Sequence, residues 1–406
     1  MVDDKILIAR ELRAQKIKEL SQKSDTVTVK SNVPGWEKNI DSAHILSAYF
    51  IKRCTELGVY DIERLDGADG LTYFGKTADG KALKEKAVNL EQTHPIGRFI
   101  DIDITLKGEE KSLSRKDMRK CYLCDRPAFI CGREKTHTTS QLLSFFNDKT
   151  QSYFENLIEN IIKDSMLEEL NLDDKFGLVT PTSNGSHTDL NYSVMVSAIN
   201  AVNARLKDAF FIGFKAEKTD NLLDKLRPIG IECEDKMLSA TDGANAYKGF
   251  IFVGGALLAA AGFCLKKGKP FSEIYNVCAN ICADLSAPLS TFGFSAYKNG
   301  FGGIRKQAKK GFPAVKKAKQ LLEKNSLITV LKNIVKSIDD SVLLKRAKSV
   351  ERYEYFKNLI SNCADGREKQ VTKECIENNI SIGGAADILI AALMLKKIEK
   401  TFYFEG

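Results

Sequence analysis

The stretch CYLCDRPAFICGREKTH, residues 121–137, concentrates thiol and imidazole side chains in one short segment. Three thiolates and one imidazole are a valid tetrahedral ligand set for Zn²⁺, and the first two cysteines have the spacing of a zinc knuckle. The four side chains follow the pattern C-x2-C-x6-C-x5-H and are Cys121, Cys124, Cys131 and His137. The segment therefore predicts, as one possibility, a structural zinc site.

The same segment supports two other interpretations. Arg133 and His137 lie on alternate positions with Lys135 between them, which would suit contacts to phosphate without any metal. The thiols can also be reduced bystanders, because the second half of the pattern lacks the paired spacing of a zinc ribbon. The residue types alone leave all three alternatives open.

A second candidate site lies in the segment FIDIDIT. Because side chains alternate between the two faces of a strand, its isoleucines share one face, and Asp101 and Asp103 share the other. Two carboxylates about 7 Å apart can chelate a Mg²⁺ that also holds a polyphosphate. Nearby, Arg98 in HPIGR and Lys38 in the turn SNVPGWEKN are candidate phosphate ligands. A solvated strand face and an ordinary surface turn are the alternatives.

The second half of the chain contains several glycine-rich or acid-led helix starts. Such starts can offer free backbone N–H groups to phosphate, and acids on different helices can share Mg²⁺. An ordinary loop, or an acid that complements the helix dipole, is the alternative at each of them. The candidate phosphate-binding residues are His187, Lys248, Arg305, Gly383 and Gly384. The candidate acids are Asp189, Asp339 and Asp387.

The elements that must position these residues differ between the two halves. Residues 26–31 and 98–105 alternate with period two, as strands do, and the segments around them have helical spacing. Beyond these, the apolar spacing is almost entirely helical. We therefore predict two domains, an α+β domain over residues 1–147 and an all-α domain over residues 148–406.

The composition of the 406-residue chain, with 43% hydrophobic and 28% charged residues, is that of a globular protein. Its acidic start, MVDDKILIARELRAQ, does not resemble a signal peptide. The longest apolar run, residues 250–265, is shorter than the roughly 18 residues of a membrane span and predicts a buried helix. We expect a cytoplasmic protein whose ten cysteines are reduced. The basic segment 111–120 is a solvated face or attracts anions.

Residues 6–147 resemble the citrate lyase holo-acyl-carrier-protein synthase family, CitX. The resemblance rests on NVPGWEK, LEQTHPIGRFIDIDI and KCYLCDRPAFICGREKTHTTSQLLSFF, in that order. It implies a nucleotidyltransferase-like domain in which Asp101 and Asp103 hold Mg²⁺. The residues that would contact the triphosphate, the nucleotide or the acceptor serine are Lys38, Arg98, Arg133 and His137.

Residues 160–398 resemble the triphosphoribosyl-dephospho-CoA synthase family, CitG. The resemblance rests on KFGLVTPTSNGSHTDLN, AYKGFIF, GFGGIRKQAKKGFP, DDS and SIGGAADIL. It adds Lys175 to the candidate substrate-binding residues. The chain has Thr180, Tyr247 and Gln307 where the family has aspartate, histidine and glutamate, so two acids of the family pattern are missing.

Together, the two resemblances imply a fusion of consecutive enzymes. In the C-terminal domain, a ribose hydroxyl of dephospho-CoA would attack the anomeric carbon of ATP and release adenine. Asp189, Asp339 and Asp387 would bind Mg²⁺ or act as the base. The N-terminal domain would then transfer phosphoribosyl-dephospho-CoA to a serine of the apo acyl carrier protein of citrate lyase, with release of pyrophosphate. The basic segment 111–120 would face this acidic carrier.

Three alternatives remain at this point. The carrier can be that of malonate decarboxylase, or the C-terminal domain can be a non-catalytic binding module. The chain can also be a zinc-knuckle protein that binds nucleic acid, but KSLSRKDMRK contains no aromatic residue to stack on bases. The preferred partners are therefore nucleotides and the carrier, without nucleic acid or membrane.

Overall fold

The computed structural model describes residues 2–115, 118–285 and 301–404. The chain divides into two compact units. Unit 1 comprises residues 1–156 and 400–406, and unit 2 comprises residues 157–399. A small sheet with helices forms unit 1, and unit 2 is mostly helical, which confirms the predicted two-domain architecture at this level.

Unit 1 is built on one antiparallel sheet with the strand order β2-β3-β1-β4. Its strands are β1 Asp25–Ser31, β2 Tyr60–Leu65, β3 Thr72–Thr77 and β4 Ile100–Thr105. The helices in this part of the chain are α1 Val2–Ser21, α2 Asp41–Glu56, α3 Gly80–Thr93, α4 Ala128–Glu134 and α5 Thr139–Leu170. A short 3₁₀ turn, Gly97–Phe99, leads into β4.

The predicted alternation of β4 is confirmed. Ile100, Ile102 and Ile104 are fully buried, whereas the carboxylates of Asp101 and Asp103 are 33% and 54% exposed. Burying three isoleucines contributes about 1.5–3 kcal/mol each to stability. This burial holds the strand in register, and the register determines which face carries the two acids.

Unit 2 contains no strand among its described residues, 157–285 and 301–399. After α5, its helices are α6 Tyr192–Leu206, α7 Asp208–Lys215, α8 Leu222–Ala240, α9 Lys248–Lys267, α10 Ile274–Ile281 and α11 Gly303–Lys309. They continue as α12 Pro313–Leu321, α13 Leu327–Ser337, α14 Ser341–Ala347, α15 Val350–Ser361, α16 Glu368–Glu377 and α17 Gly383–Phe402.

Helix α9 is the central apolar helix of unit 2. Its side chains are buried continuously over residues 250–251 and 253–265, as the apolar run predicts. The helix is long and apolar enough for a membrane span by length and composition, yet 83% of its most apolar window is buried inside the protein. Core helices meet the same criteria, so α9 is explained by its place in the core.

Candidate active sites

Asp101 and Asp103 line a polar cavity of about 330 Å³ in unit 1. In the β1–β4 register, Lys30 lies opposite Asp101 and Thr28 lies opposite Asp103. Paired residues project from the same face of a sheet, so a lysine and a hydroxyl join the two carboxylates. The cavity also contains the hydroxyl-bearing Ser112.

Four basic side chains line this cavity, from α1, β1 and the turn after β1. They are Arg10, Arg13, Lys30 and Lys38. Burial, together with the charges of Arg13, Lys38 and Arg10, lowers the pKa of Lys30 to about 7. Burial and the Arg10 charge also lower the pKa of Lys38. Such mutual repulsion between cations is relieved when an anion binds between them.

Asp69 holds part of this basic cluster in place. Its carboxylate is 5% exposed, forms an ion pair with Arg13 and lies 3.2 Å from the Lys30 ammonium. The ammonium of Lys38 donates to the carbonyl of Val33. One acid therefore faces several cations, which leaves an excess of positive charge beside the strand that carries the two candidate metal ligands.

The other predicted ligands of the first half lie elsewhere. Arg98 is outside the cavity lining, with its guanidinium 5.6 Å from the centre of the Tyr122 ring. Burial lowers the pKa of this arginine. Arg133 is exposed on α4, also outside the lining. Of the cations predicted from the sequence, Lys38 therefore lines this cavity, whereas Arg98 and Arg133 do not.

Within the basic segment 111–120, Lys116 and Asp117 lie outside the described residues. Arg115 forms an ion pair with the buried Glu91, and Arg119 forms ion pairs with both Glu91 and Asp101. These two arginines are only 18% and 27% exposed. They therefore stabilise unit 1 from within instead of forming an open basic surface.

The thiol and imidazole side chains of residues 121–137 come together in unit 1. One ligand atom from each of Cys121, Cys124, Cys131 and His137 lies within 4.8 Å of the others. Cys124 Sγ is 3.4 Å from Cys131 Sγ and 3.3 Å from His137 Nε2. Burial opposes ionisation of Cys121, but bonds from the N–H groups of Leu123 and Cys124 help lower the pKa of its thiol.

A cavity of about 740 Å³ in unit 2 brings together most of the predicted residues of the second half. Those that line it are Lys175, His187, Asp189, Lys248, Asp339, Gly383, Gly384 and Asp387. Arg305 does not line it; this arginine borders a mainly apolar cavity of about 240 Å³. Residues from loops and helix starts far apart in the sequence thus converge on one polar cavity.

Asp387, near the start of α17, packs against the start of α9. Its carboxylate contacts the Cα position of Gly249 so closely that a Cβ there would collide with it. The Phe250 N–H donates to the carboxylate, yet burial raises the pKa of Asp387 well above its usual value, and the charges of Asp340 and Glu169 raise it further. Burial therefore makes the Asp387 carboxylate a stronger base than an exposed aspartate.

The sequence predicted Asp339 as a site acid but not its neighbour Asp340. Asp340 is 2% exposed and accepts N–H bonds from Val342 at 2.8 Å and from Ala385 at 2.9 Å. It therefore caps α14 and also satisfies the start of α17. A Cβ on Gly384 would crowd this carboxylate, so close packing accounts for a glycine there.

Asp189 and Asp339 are the more accessible acids of the cavity. The Asp189 side chain is 60% exposed, and Asp339 is half-buried beside the cap residue of α14. Carboxylates that are open to solvent can bind a hydrated divalent cation without first losing a protein partner. Both acids therefore fit Mg²⁺ better than the enclosed Asp387 does.

His187 is a neutral imidazole in this site. Arg346 donates to its Nδ1 at 3.2 Å, so the proton lies on Nε2, which donates to Ser381 Oγ at 3.1 Å. Burial and the Arg346 charge lower the pKa of His187 to about 4, although Asp189 opposes this. His187 therefore orients Arg346 and adds no positive charge of its own.

Lys175 is enclosed in the wall of the cavity and is 1% exposed. Its ammonium donates to the carboxylate of Glu169 at 2.9 Å and to the carbonyls of Glu169 and Leu170. Burial lowers the pKa of this lysine, and Glu169 opposes that shift. Glu169, which was not predicted, is thus a buried acid of the site whose charge Lys175 balances.

Several cations that were not predicted from the sequence also line the cavity. Lys345, Arg346 and Lys348 follow one another at the end of α14, whereas Lys248 forms an ion pair with Glu234 at 2.7 Å. The helix places the Cα atoms of Lys345 and Arg346 about 8–10 Å from that of Asp340 at its start. Their clustering near a helix end was the one signal in the sequence that could have identified them.

Thr180 and Gln307, which stand where the family pattern has acids, have structural roles. The Thr180 hydroxyl accepts the Thr182 N–H at 3.3 Å and is outside the cavity lining. Gln307 does line the cavity, and its side-chain oxygen accepts the Ala314 N–H at 3.1 Å. Both residues therefore shape loops without adding charge.

Comparison with known proteins divides the chain at nearly the same place. Residues 155–405 match the family model CitG, described as ATP:dephospho-CoA triphosphoribosyl transferase. Residues 2–153 match the family model CitX, described as apo-citrate lyase phosphoribosyl-dephospho-CoA transferase. Each matched range contains one of the two polar cavities.

Curated relatives include proteins that carry both parts. The chain is 28% identical over 386 residues to Protein CitXG of Leuconostoc mesenteroides subsp. cremoris, covering 83% of this chain and 82% of the relative. It is 26% identical to Protein CitXG of Haemophilus influenzae, covering 78% and 77%. A 2-(5''-triphosphoribosyl)-3'-dephosphocoenzyme-A synthase of Haemophilus ducreyi is 26% identical over 66% of this chain and 96% of the relative.

Proposed function

The chain belongs to the CitG family over residues 155–405 and to the CitX family over residues 2–153, and we propose from this that it carries out two consecutive transfer reactions. It makes the prosthetic group of citrate lyase from ATP and dephospho-CoA and attaches it to the apo acyl carrier protein. The observation that supports this most strongly is that each matched range has its own cavity where acids and cations meet.

We assign the first reaction to the cavity of unit 2. The oxygen of a dephospho-CoA ribose hydroxyl forms a bond to the anomeric carbon of ATP, and the bond from that carbon to adenine breaks. The hydroxyl proton is the proton that adenine gains, so no other reactant is needed. Lys248, Lys345 and Arg346 are the cations suited to the triphosphate, and His187 orients Arg346.

The acids of this cavity divide by their surroundings. Asp189 and Asp339 would hold Mg²⁺, which when bound neutralises charge on the triphosphate. Asp387, whose carboxyl group is enclosed against Gly249, is better suited to proton transfer from the attacking hydroxyl. Glu169 and Asp340 are already paired with Lys175 and with backbone N–H groups, so we assign them structural roles.

We assign the second reaction to the cavity of unit 1, in a nucleotidyltransferase-like domain. The serine oxygen of the carrier attacks the phosphorus next to the ribose, and the bond to pyrophosphate breaks. Asp101 and Asp103 would hold Mg²⁺, since both present oxygen ligands from one strand face to the cavity. The four cations of the cavity would bind the pyrophosphate that leaves.

We further propose that the Cys/His cluster binds one structural Zn²⁺. The four ligand atoms are close enough for a single ion, and their types match a Cys₃His site. Metal analysis of protein purified without added zinc tests this and should give about one zinc per chain. A value near zero in folded protein would favour reduced thiols, with Arg133 and His137 as nucleotide contacts.

One assay with two readouts tests the main proposal. Purified protein is given ATP, dephospho-CoA and Mg²⁺, and free adenine is measured by chromatography; apo carrier is then added and its mass is measured. We expect adenine release followed by a mass increase of the carrier. Binding of both nucleotides without adenine release would make unit 2 a binding module. Comparison of the citrate lyase carrier with that of malonate decarboxylase identifies the client.

A further inference from the structure

Tyr247 is a buried tyrosine of the unit 2 cavity. It is 2% exposed and lines the cavity as the residue before α9. Its oxygen makes no hydrogen bond with any residue that the structure describes. Buried hydroxyl groups nearly always have a hydrogen-bond partner, so this one points to a missing ligand.

The backbone holds this side chain in place. The Tyr247 N–H donates to Met237 Sδ at 3.1 Å, and the Tyr247 carbonyl accepts the Ile251 N–H at 2.9 Å. The residue is therefore fixed between α8 and α9, and the ring has little freedom to find a partner by moving. A fixed donor is already placed for its acceptor before substrate binds.

The charges around Tyr247 indicate which part of a nucleotide it meets. Glu169 and Asp387 are the acids that act electrostatically on its hydroxyl. Lys175 is already paired with Glu169, so anionic phosphate groups are better placed beside the cations Lys345 and Arg346 at the end of α14. The acidic part of the cavity thus suits a neutral group, and its aliphatic side chains, such as Leu190 and Ile388, suit a purine ring.

We propose that the Tyr247 hydroxyl donates a hydrogen bond to a ring nitrogen of the adenine that leaves ATP. As the bond between the anomeric carbon and adenine breaks, its electron pair moves onto the purine, and a ring nitrogen becomes a stronger acceptor. The hydrogen bond therefore strengthens in the transition state, which accelerates the chemical step more than it strengthens binding. The net proton still comes from the attacking dephospho-CoA hydroxyl.

This inference rests on the proposed adenine-releasing activity and deepens it. It predicts opposite effects of Tyr247→Phe on stability and on rate. Removing an unsatisfied buried hydroxyl should leave the melting temperature unchanged or raise it. The kcat of adenine release should fall about 10- to 100-fold, while KM for ATP stays within about threefold. Tyr247→His, which restores an N–H donor, should recover part of kcat.

The test compares the full-length wild type with Tyr247→Phe, Tyr247→His and a control, Tyr275→Phe. Tyr275 is a buried tyrosine of unit 2 outside this cavity lining, so its variant should keep kcat. Adenine release is measured with ATP, 3-deaza-ATP and 7-deaza-ATP. One analogue should lower kcat in the wild type and produce no further loss in Tyr247→Phe, because both changes remove the same hydrogen bond.

Two kinetic results would overturn the inference: a kcat for Tyr247→Phe within twofold of the wild type, or additive losses with both analogues. A lower melting temperature with a proportional loss of active protein would assign Tyr247 a structural role and would also overturn it. If the wild type itself releases no adenine, the proposed function has failed. The wild-type reaction alone therefore distinguishes that failure from a failure of the Tyr247 inference.

Discussion

The two cavities use the same kinds of side chain in different ways. In unit 1, Asp101 and Asp103 project from one strand face and meet cations that come from other elements. In unit 2, several of the acids that line the cavity stand at helix starts, and two of them lie against glycines of neighbouring helices. A strand face presents its acids together, whereas helix starts use some acids for capping and leave others for chemistry.

This difference explains why acids in an alternating strand predict site residues more reliably than acids at a helix start do. The alternation of β4 places both carboxylates on the cavity side because the isoleucines must be buried. The neighbouring acids Asp339 and Asp340 both line the cavity, but Asp340 is held as the cap of α14. Which of the two acids becomes the cap depends on how the next helix packs.

The largest expected effect is in unit 1. Asp101→Asn or Asp103→Asn should slow attachment to the carrier by about a thousandfold, because the pyrophosphate loses its main charge stabilisation. Adenine release by unit 2 should be unchanged. The mass of carrier incubated with supplied precursor measures attachment, and Asp61→Asn, an acid of β2 paired with Lys76, is the control. Complete labelling by either cavity variant would exclude the metal-pair hypothesis.

In unit 2, Asp189→Ala, Asp339→Ala and Asp387→Ala should each lower adenine release about a hundredfold. Attachment of supplied precursor should continue at the wild-type rate. Asp224→Ala, at an exposed acid of α8 paired with Arg227, serves as the control. Wild-type adenine release by all three variants would leave unit 2 without a catalytic carboxylate among the predicted acids.

A smaller effect should follow from closing the space beside Asp387. Gly249→Ala should lower adenine release about tenfold, because the added methyl group displaces the carboxylate. Gly230→Ala is a matched control, since it also adds alanine to a helix but its Cβ meets nothing closer than 4.0 Å. Helix propensity favours alanine over glycine at both positions, so equal rates in the two variants would contradict the packing argument.

The smallest effect concerns His94, which hydrogen-bonds the hydroxyls of Tyr49 and Tyr153. Burial, with a contribution from Arg53, lowers the pKa of His94 from 6.5 to about 4. Between these values the unfolded chain takes up a proton that the folded protein excludes, so stability falls as pH decreases from 6.5 to 4.

Thermal unfolding of the full chain between pH 7 and 4.5 measures this dependence. Wild type should lose a few degrees more than His94→Gln over the same range, since glutamine does not titrate. The difference between the two proteins isolates His94 from the other titrating groups. Parallel curves would mean that His94 is not protected in the folded state.

Much of the architecture follows from local pattern. Alternating residues identify β1 and β4, and helical spacing identifies the apolar helix α9. Three ordered motifs in the first half and several in the second were enough to indicate the two families. These features are local because each depends on a side-chain period or on a short run of residues that acts as a unit.

The composition of the two sites depended on long-range packing. Arg13 and Lys30 reach the unit 1 cavity from α1 and β1, whereas Arg98, only three residues from Asp101, lies outside its lining. Glu169 meets Lys175 only because the loop after α5 folds back on the helix end. Neither pairing has a period that a sequence pattern could reveal.

The sequence by itself therefore determined the elements, the family and the acids of each half, because hydrophobic periodicity and short motifs are properties of neighbouring residues. Tertiary structure alone decided which cations face those acids, which acids cap helices, and that the Tyr247 hydroxyl is enclosed without a partner among the described residues. Charge and burial at a site are set by residues far apart in the chain, and a single sequence does not record their distances.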